Sequence, residues 1–317
     1  MENEKYNFKY NLYNDIIIPN WLNKERLKYL DENIIYKKND IIIATYPKSG
    51  ITWLEQCILL IMNGIDKKKY LTPSNKNNFN KITNSGKIWI EDMVEQDLNY
   101  KLKAGKLSTN ISIEEFNLIT SPRIIKTHSQ PKIFLGKKNI FFENIINNDG
   151  LFIIIFRNPL DICVSAYYHY RNIDPIYNIP FNDWFEIWLS GYVPWGDYFN
   201  WVEEWSKYIN KNKNIYYLFY EDLKNNSVCE IKKLSLFLNK KLSFNNILKI
   251  SNEIKFESMK KKAIFQGGDI NNHLRKGEIN DWKNYINDEM LNIFKNKIYL
   301  KKNNNFILNK YYHYYFY

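Results

Sequence analysis

The sequence predicts an α/β protein: a single domain with a central parallel sheet flanked by helices. Four apolar runs are rich in β-branched and aromatic residues, as in strands covered on both faces. These runs are Asp40–Tyr46, Arg123–Thr127, Leu151–Phe156 and Asn214–Tyr220. The first, third and fourth lead directly into helical patterns, and this alternation is typical of parallel sheets.

Three helices are predicted after these strands. Residues Thr52–Met62 are apolar nearly all round, which indicates a buried helix. After the third strand, Asn158 is the expected N-cap and Pro159 the first helical residue. After the fourth strand, Ser227 and Glu230 have the spacing of a capping box. Parallel sheets bind ligands beyond the carboxyl ends of their strands, so the residues that follow the strands are candidates for a site.

The composition is that of a globular protein: 45% of the 317 residues are hydrophobic and 25% are charged. Neither a repeat nor a Pro/Gly/Ser-rich linker divides the chain, so residues 1–317 are predicted as one domain. Its motifs lie in about residues 40–285, and an aromatic tail occupies residues 309–317. The net charge of +11 favours anionic partners, although a solvated surface rich in Lys and Asn explains most of it.

The cysteines indicate a reducing compartment. Cys57, Cys163 and Cys229 lie far apart, with no CxxC pair and no Cys/His cluster, so neither a disulfide framework nor a metal site is expected. The first residues lack the apolar segment of a signal peptide, and no apolar run approaches the roughly 20 residues that cross a bilayer. We therefore expect a cytoplasmic protein without a membrane partner.

The segment Ala44–Trp53 follows a strand and opens a helix, where consecutive backbone N–H groups bind anions. Gly50 permits close approach of the backbone to a ligand, and Lys48 supplies a mobile cation. The other candidates are the hydroxyls of Ser49 and Thr52 and the flat ring of Trp53. The spacing departs from G-x-x-x-x-G-K-[ST], so an ATP or GTP loop is disfavoured. The structural alternative is a capped turn with an incidental Lys.

Polar residues also follow the second and third strands. Lys126 and His128 are two residues apart in an extended segment, so both can point into one site. A neutral imidazole is suited to take a proton from a hydroxyl, although a lone His is more often structural. Arg157 can bind a phosphate through two N–H groups, or else form an ion pair or a cap. Ser165 reaches the same site only if its helix packs beside the loop.

Four segments together resemble the cytosolic sulfotransferases. TYPKSGITW at 45–53 resembles the family's phosphosulfate loop, TYPKSGTTW, with Ile51 in place of a Thr but with its backbone N–H retained. KTH at 126–128, RNPLDICVS at 157–165 and RKGEINDWK at 275–283 follow in the family's order. Read without the family, the last is a basic surface loop. The resemblance spans about residues 40–285.

The family transfers a sulfuryl group from 3′-phosphoadenosine 5′-phosphosulfate (PAPS) to small hydroxyl or amine acceptors. The resemblance implies that His128 is the general base and that Lys48 and Lys126 neutralise charge on the transferring group. The product nucleotide is adenosine 3′,5′-bisphosphate (PAP).

The resemblance also assigns the nucleotide contacts. Arg157 and Ser165 are expected to hold the 3′-phosphate. The loop of Arg275, Lys276 and Gly277 is expected to clasp it from the other side. Tyr220 and Phe256 are expected to lie against the adenine.

We predict a PAPS-dependent sulfotransferase that acts by in-line displacement on a small aromatic or alcohol acceptor, without a metal. A nucleotide kinase is the alternative within the same class, and a non-catalytic nucleic-acid-binding protein is the alternative outside it. A sulfotransferase fold without activity is a third possibility. The animal members' dimer motif has no match after Lys283, so a monomer or weak homodimer is expected.

The aromatic residues are harder to assign. Trp184 with Trp188, and Trp201 with Trp205, have the i,i+4 spacing of helix core. Four other aromatic residues are candidates both for the core and for the acceptor pocket: Phe79, Trp89, Phe134 and Phe141. An aromatic-lined pocket would suit a phenol or a flat alcohol.

Three further segments have no assigned role. Residues Gly191–Tyr198 are candidates for the border of the acceptor site. His169 and Arg171 match no motif and are expected on a helix surface. The tail Tyr311–Tyr317 either docks on the body of the protein or forms an exposed aromatic end.

Overall fold

The structure is a computed structural model that describes residues 6, 8–64, 88–91, 93, 112–133, 150–265, 275–302 and 305–316, without the side chains of 262–265 and 316. Phe79, Phe134 and Phe141, the candidates named above, lie outside these residues. The strands are β1 (Asn11–Tyr13), β2 (Ile16–Ile18), β3 (Ile41–Thr45), β4 (Ile88–Trp89), β5 (Ile124–Thr127), β6 (Leu151–Phe156) and β7 (Ile215–Phe219).

Twelve helices are found within the described residues. They are α1 (Lys24–Asn33), α2 (Ile51–Asn63), α3 (Ile113–Leu118), α4 (Pro159–Ile173), α5 (Phe181–Ser190), α6 (Tyr198–Ile209), α7 (Tyr220–Asn225), α8 (Ser227–Phe237), α9 (Phe244–Glu253), α10 (Phe256–Phe265), α11 (Asp288–Lys301) and α12 (Phe306–Phe316).

Five strands form a parallel sheet in the order β4-β5-β3-β6-β7, and β1 and β2 form a separate antiparallel hairpin. Ala44 in β3 pairs with Thr127 in β5 and Ile154 in β6, so these three strands end nearly level. The residues that follow them therefore meet at one edge of the sheet. The predicted α/β class with a central parallel sheet is confirmed.

The sheet is buried on both faces, as its continuous apolar strands predict. Alternate residues of the strands point to opposite sides. On one side Ile43 and Ile153 pack with residues of α2, α8 and α9. On the other, Ile42 and Ile154 join a larger core that includes α1, α4, α5, α6, α11 and α12. All four tryptophans of the two i,i+4 pairs are buried in this larger core, as predicted.

The helix starts agree with the sequence at one junction and differ at another. Asn158 caps α4, accepting hydrogen bonds from the N–H groups of Leu160 and Asp161, and Pro159 is the first residue. The predicted capping box of Ser227 is wrong. The N-cap of α8 is Asn226, one residue before Ser227, and its side chain accepts a hydrogen bond from the backbone N–H of Cys229. The Ser227 hydroxyl is instead hydrogen-bonded to the hydroxyl of Ser251. Asn is as favourable an N-cap as Ser, so Asn226 can take the N-cap position in place of Ser227.

Within the described residues, the structure contains no helix of the length and apolarity that a membrane crossing requires.

Candidate active site

A cleft of about 970 Å³ opens at the carboxyl edge of the sheet. All but one of the predicted site residues line it: Lys48, Gly50, Ile51, Thr52, Trp53, Lys126, His128, Arg157, Ser165, Tyr220, Phe256, Arg275, Lys276 and Gly277. Ser49 is the exception. Its side chain is fully buried, and its hydroxyl has no hydrogen-bond partner among the described residues.

The loop before α2 has the backbone of an anion cradle. Lys48 has a φ of 67° and Gly50 has a φ of 105°, and α2 begins immediately after Gly50. Such turns at a helix N-terminus point successive N–H groups outward. Gly50 is also required sterically, since a Cβ there would lie 2.8 Å from the ring of Tyr220. The loop therefore packs directly against Tyr220, one of the two residues predicted to lie against the adenine.

Lys48 is an amine that loses its charge easily. Burial lowers its pKa to about 7, and the nearby charges of Arg157 and Arg275 lower it further in the same direction. A cation held near other cations is stabilised when an anion binds among them. This cluster can therefore bind a group that carries several negative charges.

His128 has a defined tautomer. Its Nδ1 lies 2.7 Å from the carbonyl oxygen of Thr45, which can only accept, so Nδ1 carries the proton. The neutral ring then presents an unprotonated Nε2. Burial, with Lys48 and Lys126 nearby, lowers the pKa of His128 to about 4, although the bond to Thr45 opposes this. His128 is thus a neutral base at physiological pH.

Two indole rings flank this base. The ring centre of Trp89 lies 4.7 Å from that of His128, and the ring centre of Trp195 lies 5.6 Å away. Trp195 belongs to the predicted border segment Gly191–Tyr198, and Trp89 lines the cleft. Flat aromatic rings therefore form part of the surroundings of the base, beside the charged groups already described.

Glu91 holds the segment that carries the base, and sequence reasoning missed it. The carboxylate accepts hydrogen bonds from the hydroxyl of Thr127, from the backbone N–H groups of His128 (3.0 Å) and Ser129 (3.3 Å), and from the Ser129 hydroxyl (3.0 Å). It follows β4, which pairs with β5. A two-residue strand has no periodicity, so nothing local in the sequence places Glu91 beside His128.

Lys126 points into the cleft but is already paired. Its ammonium lies 2.8 Å from the Oε1 of Glu55 in α2, and it lies 4.8 Å from the ring centre of Trp89. Both charged side chains are nearly buried. The sequence analysis also missed Glu55. A carboxylate inside a buried apolar helix lies in no local sequence pattern that indicates its partner.

The predicted 3′-phosphate residues lie where α4 and the loop at 275–280 approach the anion cradle. Arg157 donates to the carbonyl oxygens of Lys48 (2.9 Å) and Glu278 (3.2 Å), and its guanidinium stacks 4.3 Å from the ring centre of Tyr220. Its Nε has no hydrogen-bond partner among the described residues. Ser165 lines the same cleft.

Two buried carboxylates hold the loop at 275–280. Asp281 pairs with Arg275 and, at 2.7 Å, with Lys276. Asp161, in the first turn of α4, accepts hydrogen bonds from the backbone N–H groups of Asn280 (2.8 Å) and Trp282 (3.0 Å). Asn280 has a φ of 66°, as expected for a residue that tolerates the left-handed region. The loop is therefore anchored to α4, which begins beside Arg157.

Aromatic rings form the remaining wall. The rings of Trp53 and Tyr220 meet edge to face at 4.9 Å, and Trp53 Nε1 donates to the carbonyl oxygen of Ile254 at 2.8 Å. A Cβ on Gly277, which has a φ of 65°, would overlap the ring of Phe256. Each glycine at the cleft thus touches one of the two rings predicted to bind adenine.

His169, expected on a helix surface, is half-buried on α4 and lines the cleft. The expected absence of a metal remains a prediction. Within the part of the chain that the structure describes, no group of three or more His, Cys, Asp or Glu residues could hold a metal ion.

Comparison with known proteins identifies the family. The sulfotransferase domain model matches residues 38–306. Sulfotransferase 1B1 of Canis lupus familiaris is 32% identical over 262 residues, which cover 79% of each chain. Sulfotransferase 6B1 of Mus musculus is 31% identical over 257 residues, which cover 80% of this chain and 72% of the mouse protein. The chain belongs to the sulfotransferase family, and the prediction of a sulfotransferase enzyme is confirmed.

Solved structures agree on the fold. Mouse sulfotransferase SULT7A1, complexed with PAP, has a TM-score of 0.71 at 24% identity, with 95% of this chain and 98% of that chain covered. A retinol dehydratase in complex with androsterone and the inactive cofactor PAP has a TM-score of 0.69 at 22% identity, with 92% and 88% covered.

Proposed function

We propose that the protein transfers the sulfuryl group of PAPS to the hydroxyl, or amine, of a small aromatic or alcohol acceptor. The observation that carries this proposal is the unprotonated Nε2 of His128, which shares one cleft with Lys48 and Lys126. A neutral base among cations suits the removal of a proton from an acceptor next to an anionic donor.

The residues of the cleft fit such a nucleotide on two observations. Arg157 uses two of its N–H groups on carbonyl oxygens, and its Nε has no partner among the described residues, so donors remain for a phosphate. Gly50 and Gly277 pack directly against the rings of Tyr220 and Phe256, where a Cβ would overlap, so both loops lie close to the two rings predicted to bind adenine. PAP in the two solved relatives supports the same choice of nucleotide.

When bound, PAPS supplies an activated sulfuryl group that is open to in-line attack by the acceptor oxygen. His128 accepts the hydroxyl proton at Nε2, because Nδ1 is committed to Thr45. Lys48 and Lys126 supply positive charge where negative charge develops. The N–H groups of Gly50, Ile51 and Thr52 hold the 5′-phosphate, since the Ser49 N–H already donates to the carbonyl oxygen of Tyr46. Positioning and electrostatics carry such a reaction, as they do in phosphoryl transfer, and no metal is required.

The flat walls around His128 support an aromatic or alicyclic acceptor. Trp89 lines the cleft with its ring centre 4.7 Å from that of His128, so a planar alcohol can pack against this indole while its hydroxyl reaches Nε2. The buried ring of Trp195 packs edge to face against the same imidazole. The retinol dehydratase that shares the fold was solved with androsterone, a ring alcohol.

The test separates binding from chemistry. His128→Ala is expected to abolish sulfuryl transfer from PAPS to a panel of phenols and ring alcohols, with the affinity for PAP kept within about twofold. His169→Ala, at a second histidine of the same cleft, is the matched control and should keep its activity. Turnover at the wild-type rate in His128→Ala would remove this residue from the mechanism.

A thermal-shift titration separates the alternatives. PAP at 100 times its Kd should stabilise the protein by about 2.7 kcal/mol. A shift with Mg·ATP alone would favour a kinase, and oligonucleotide binding with a steep salt dependence would favour the nucleic-acid reading.

We further propose a cytoplasmic location and a monomer or weak homodimer. The free thiols Cys57, Cys163 and Cys229 support a reducing compartment.

A further inference from the structure

The aromatic tail docks on the body of the protein as helix α12, and its tyrosines reach the nucleotide site from behind. Tyr311 is buried, and its hydroxyl donates to Glu221 Oε2 at 3.0 Å. The hydroxyl of Tyr314 donates to the side-chain oxygen of Asn280, and that of Tyr315 donates to the side-chain oxygen of Asn158. Of the two outcomes left open by the sequence, docking is the one observed.

Each of these partners adjoins a residue of the nucleotide site. Asn158 follows Arg157, and its side-chain oxygen is the cap of α4. Asn280 belongs to the loop of Arg275 and Gly277, where Asp161 holds its backbone N–H. Glu221 follows Tyr220, and its Oε1 accepts the backbone N–H of Asn158 at 2.7 Å.

A chain of contacts links Arg157, the loop at 275–280 and α12 around the predicted 3′-phosphate position. Arg157 already reaches the loop through the carbonyl oxygen of Glu278. The rings of Trp282 and Tyr315 meet edge to face at 5.5 Å, so the loop and the tail are also packed together. One helix turn thus touches both sides of the site without entering the cleft.

We propose that Tyr314 and Tyr315 are positioning residues, which set the separation between Arg157 and the loop at 275–280 so that both reach the 3′-phosphate. This inference rests on the proposed function. Apolar packing alone would not need two hydroxyls that end on the two asparagines beside the site. The bond of Tyr315 is partly buried, whereas the ring of Tyr314 is exposed, so Tyr315 constrains its partner more strongly than Tyr314 does.

The experiment compares two nucleotides that differ only at the 3′ position. Titration calorimetry gives the affinities of the 317-residue chain for PAP and for adenosine 5′-phosphate, which lacks the 3′-phosphate. The variants are Tyr314→Phe, Tyr315→Phe and the double variant, which keep every ring. Tyr312→Phe is the control, because the Tyr312 ring lies on the same helix against Tyr299 and Lys302.

We expect the double variant to lower the ratio of the two affinities at least fivefold while binding adenosine 5′-phosphate within about twofold of the wild type. Each single variant should lie between, and Tyr312→Phe should keep the wild-type ratio. An unchanged ratio in the double variant, or an equal loss for both nucleotides, would overturn the inference. A wild type that binds both nucleotides equally would overturn the proposed function as well.

Discussion

The ammonium of Lys126 lies 2.8 Å from the carboxylate of Glu55, and both side chains are nearly buried. Glu55 therefore holds a cation of the proposed reaction centre in place from within α2. An isolated charge is costly to bury, so Lys126 and Glu55 each depend on the other in the folded protein. Variants of both residues can therefore separate the role of Lys126 in stability from its role in catalysis.

Lys126→Met should lower both stability and turnover. Removing one partner of a buried pair costs about 3 kcal/mol, because the other charge stays buried. The double variant Glu55→Gln/Lys126→Met should recover most of the stability but none of the turnover. Urea unfolding and steady-state rates measure the two effects. A double variant that transfers sulfuryl groups at the wild-type rate would show that the charge of Lys126 has no catalytic role.

His128 should keep the enzyme active well below neutral pH. Its pKa of about 4 in the folded protein, against an ordinary value of about 6.5, places the acid limb of kcat/KM near pH 4. The folded state binds fewer protons at this position than the unfolded state, so stability falls as the pH drops from about 6.5 to about 4. His128→Ala should lose less stability than the wild type over that range. An acid limb near pH 6.5 would contradict the buried, neutral base.

Binding of PAP should take up a proton at Lys48. The amine has a pKa of about 7 before binding, and an anion raises it. Affinity should therefore fall by up to about tenfold per pH unit above pH 7. Calorimetry at pH 8 in two buffers of different ionisation enthalpy measures the uptake, which Lys48→Met should abolish. Lys276→Met is the control. Asp281 keeps the pKa of Lys276 raised, so uptake should persist in this variant.

The two ends of α2 offer a matched pair of glycines. Gly50 and Gly64 both have positive φ, at 105° and 80°, but a Cβ meets Tyr220 at Gly50 and nothing within 4 Å at Gly64. Gly64, with a ψ of −177°, lies in a region that other residues rarely adopt, so Gly64→Ala should cost about 2 kcal/mol of backbone strain and leave PAP binding within twofold. Gly50→Ala should weaken PAP binding at least tenfold. Equal effects of the two variants on binding would mean that the contact with Tyr220 is unimportant.

The strands were predictable because their signals are local, and most of the residues that line the cleft were predictable because they lie in short motifs that resemble those of a family. Leu151–Phe156 is a strand over the residues predicted, and the other three apolar runs differ by one residue at their ends. Asp40 and Arg123, expected as strand residues, instead form a buried ion pair at the opposite edge of the sheet. The ends of elements depend on such pairs between distant segments, which no periodicity reports.

The supporting residues of the site were not predictable. Glu55, Glu91 and the tyrosines of α12 act through partners that only the fold brings near. Neither the two carboxylates nor these tyrosines lie in a sequence pattern whose spacing would predict their role. The β1–β2 hairpin and β4 were missed for a simpler reason, since runs of two or three residues are too short to show an alternation.

The order of the segments along the chain has a consequence for how the enzyme becomes competent. The sheet is complete at Phe219, yet the loop at 275–280 and α12 come much later. Domains fold as units, and Phe294, Ile307 and Leu308 of α11 and α12 belong to the core that covers one face of the sheet. A chain that ended soon after Phe219 would therefore lack both this covering and the loop at 275–280. The complete cleft is expected only after the two last helices have been synthesised.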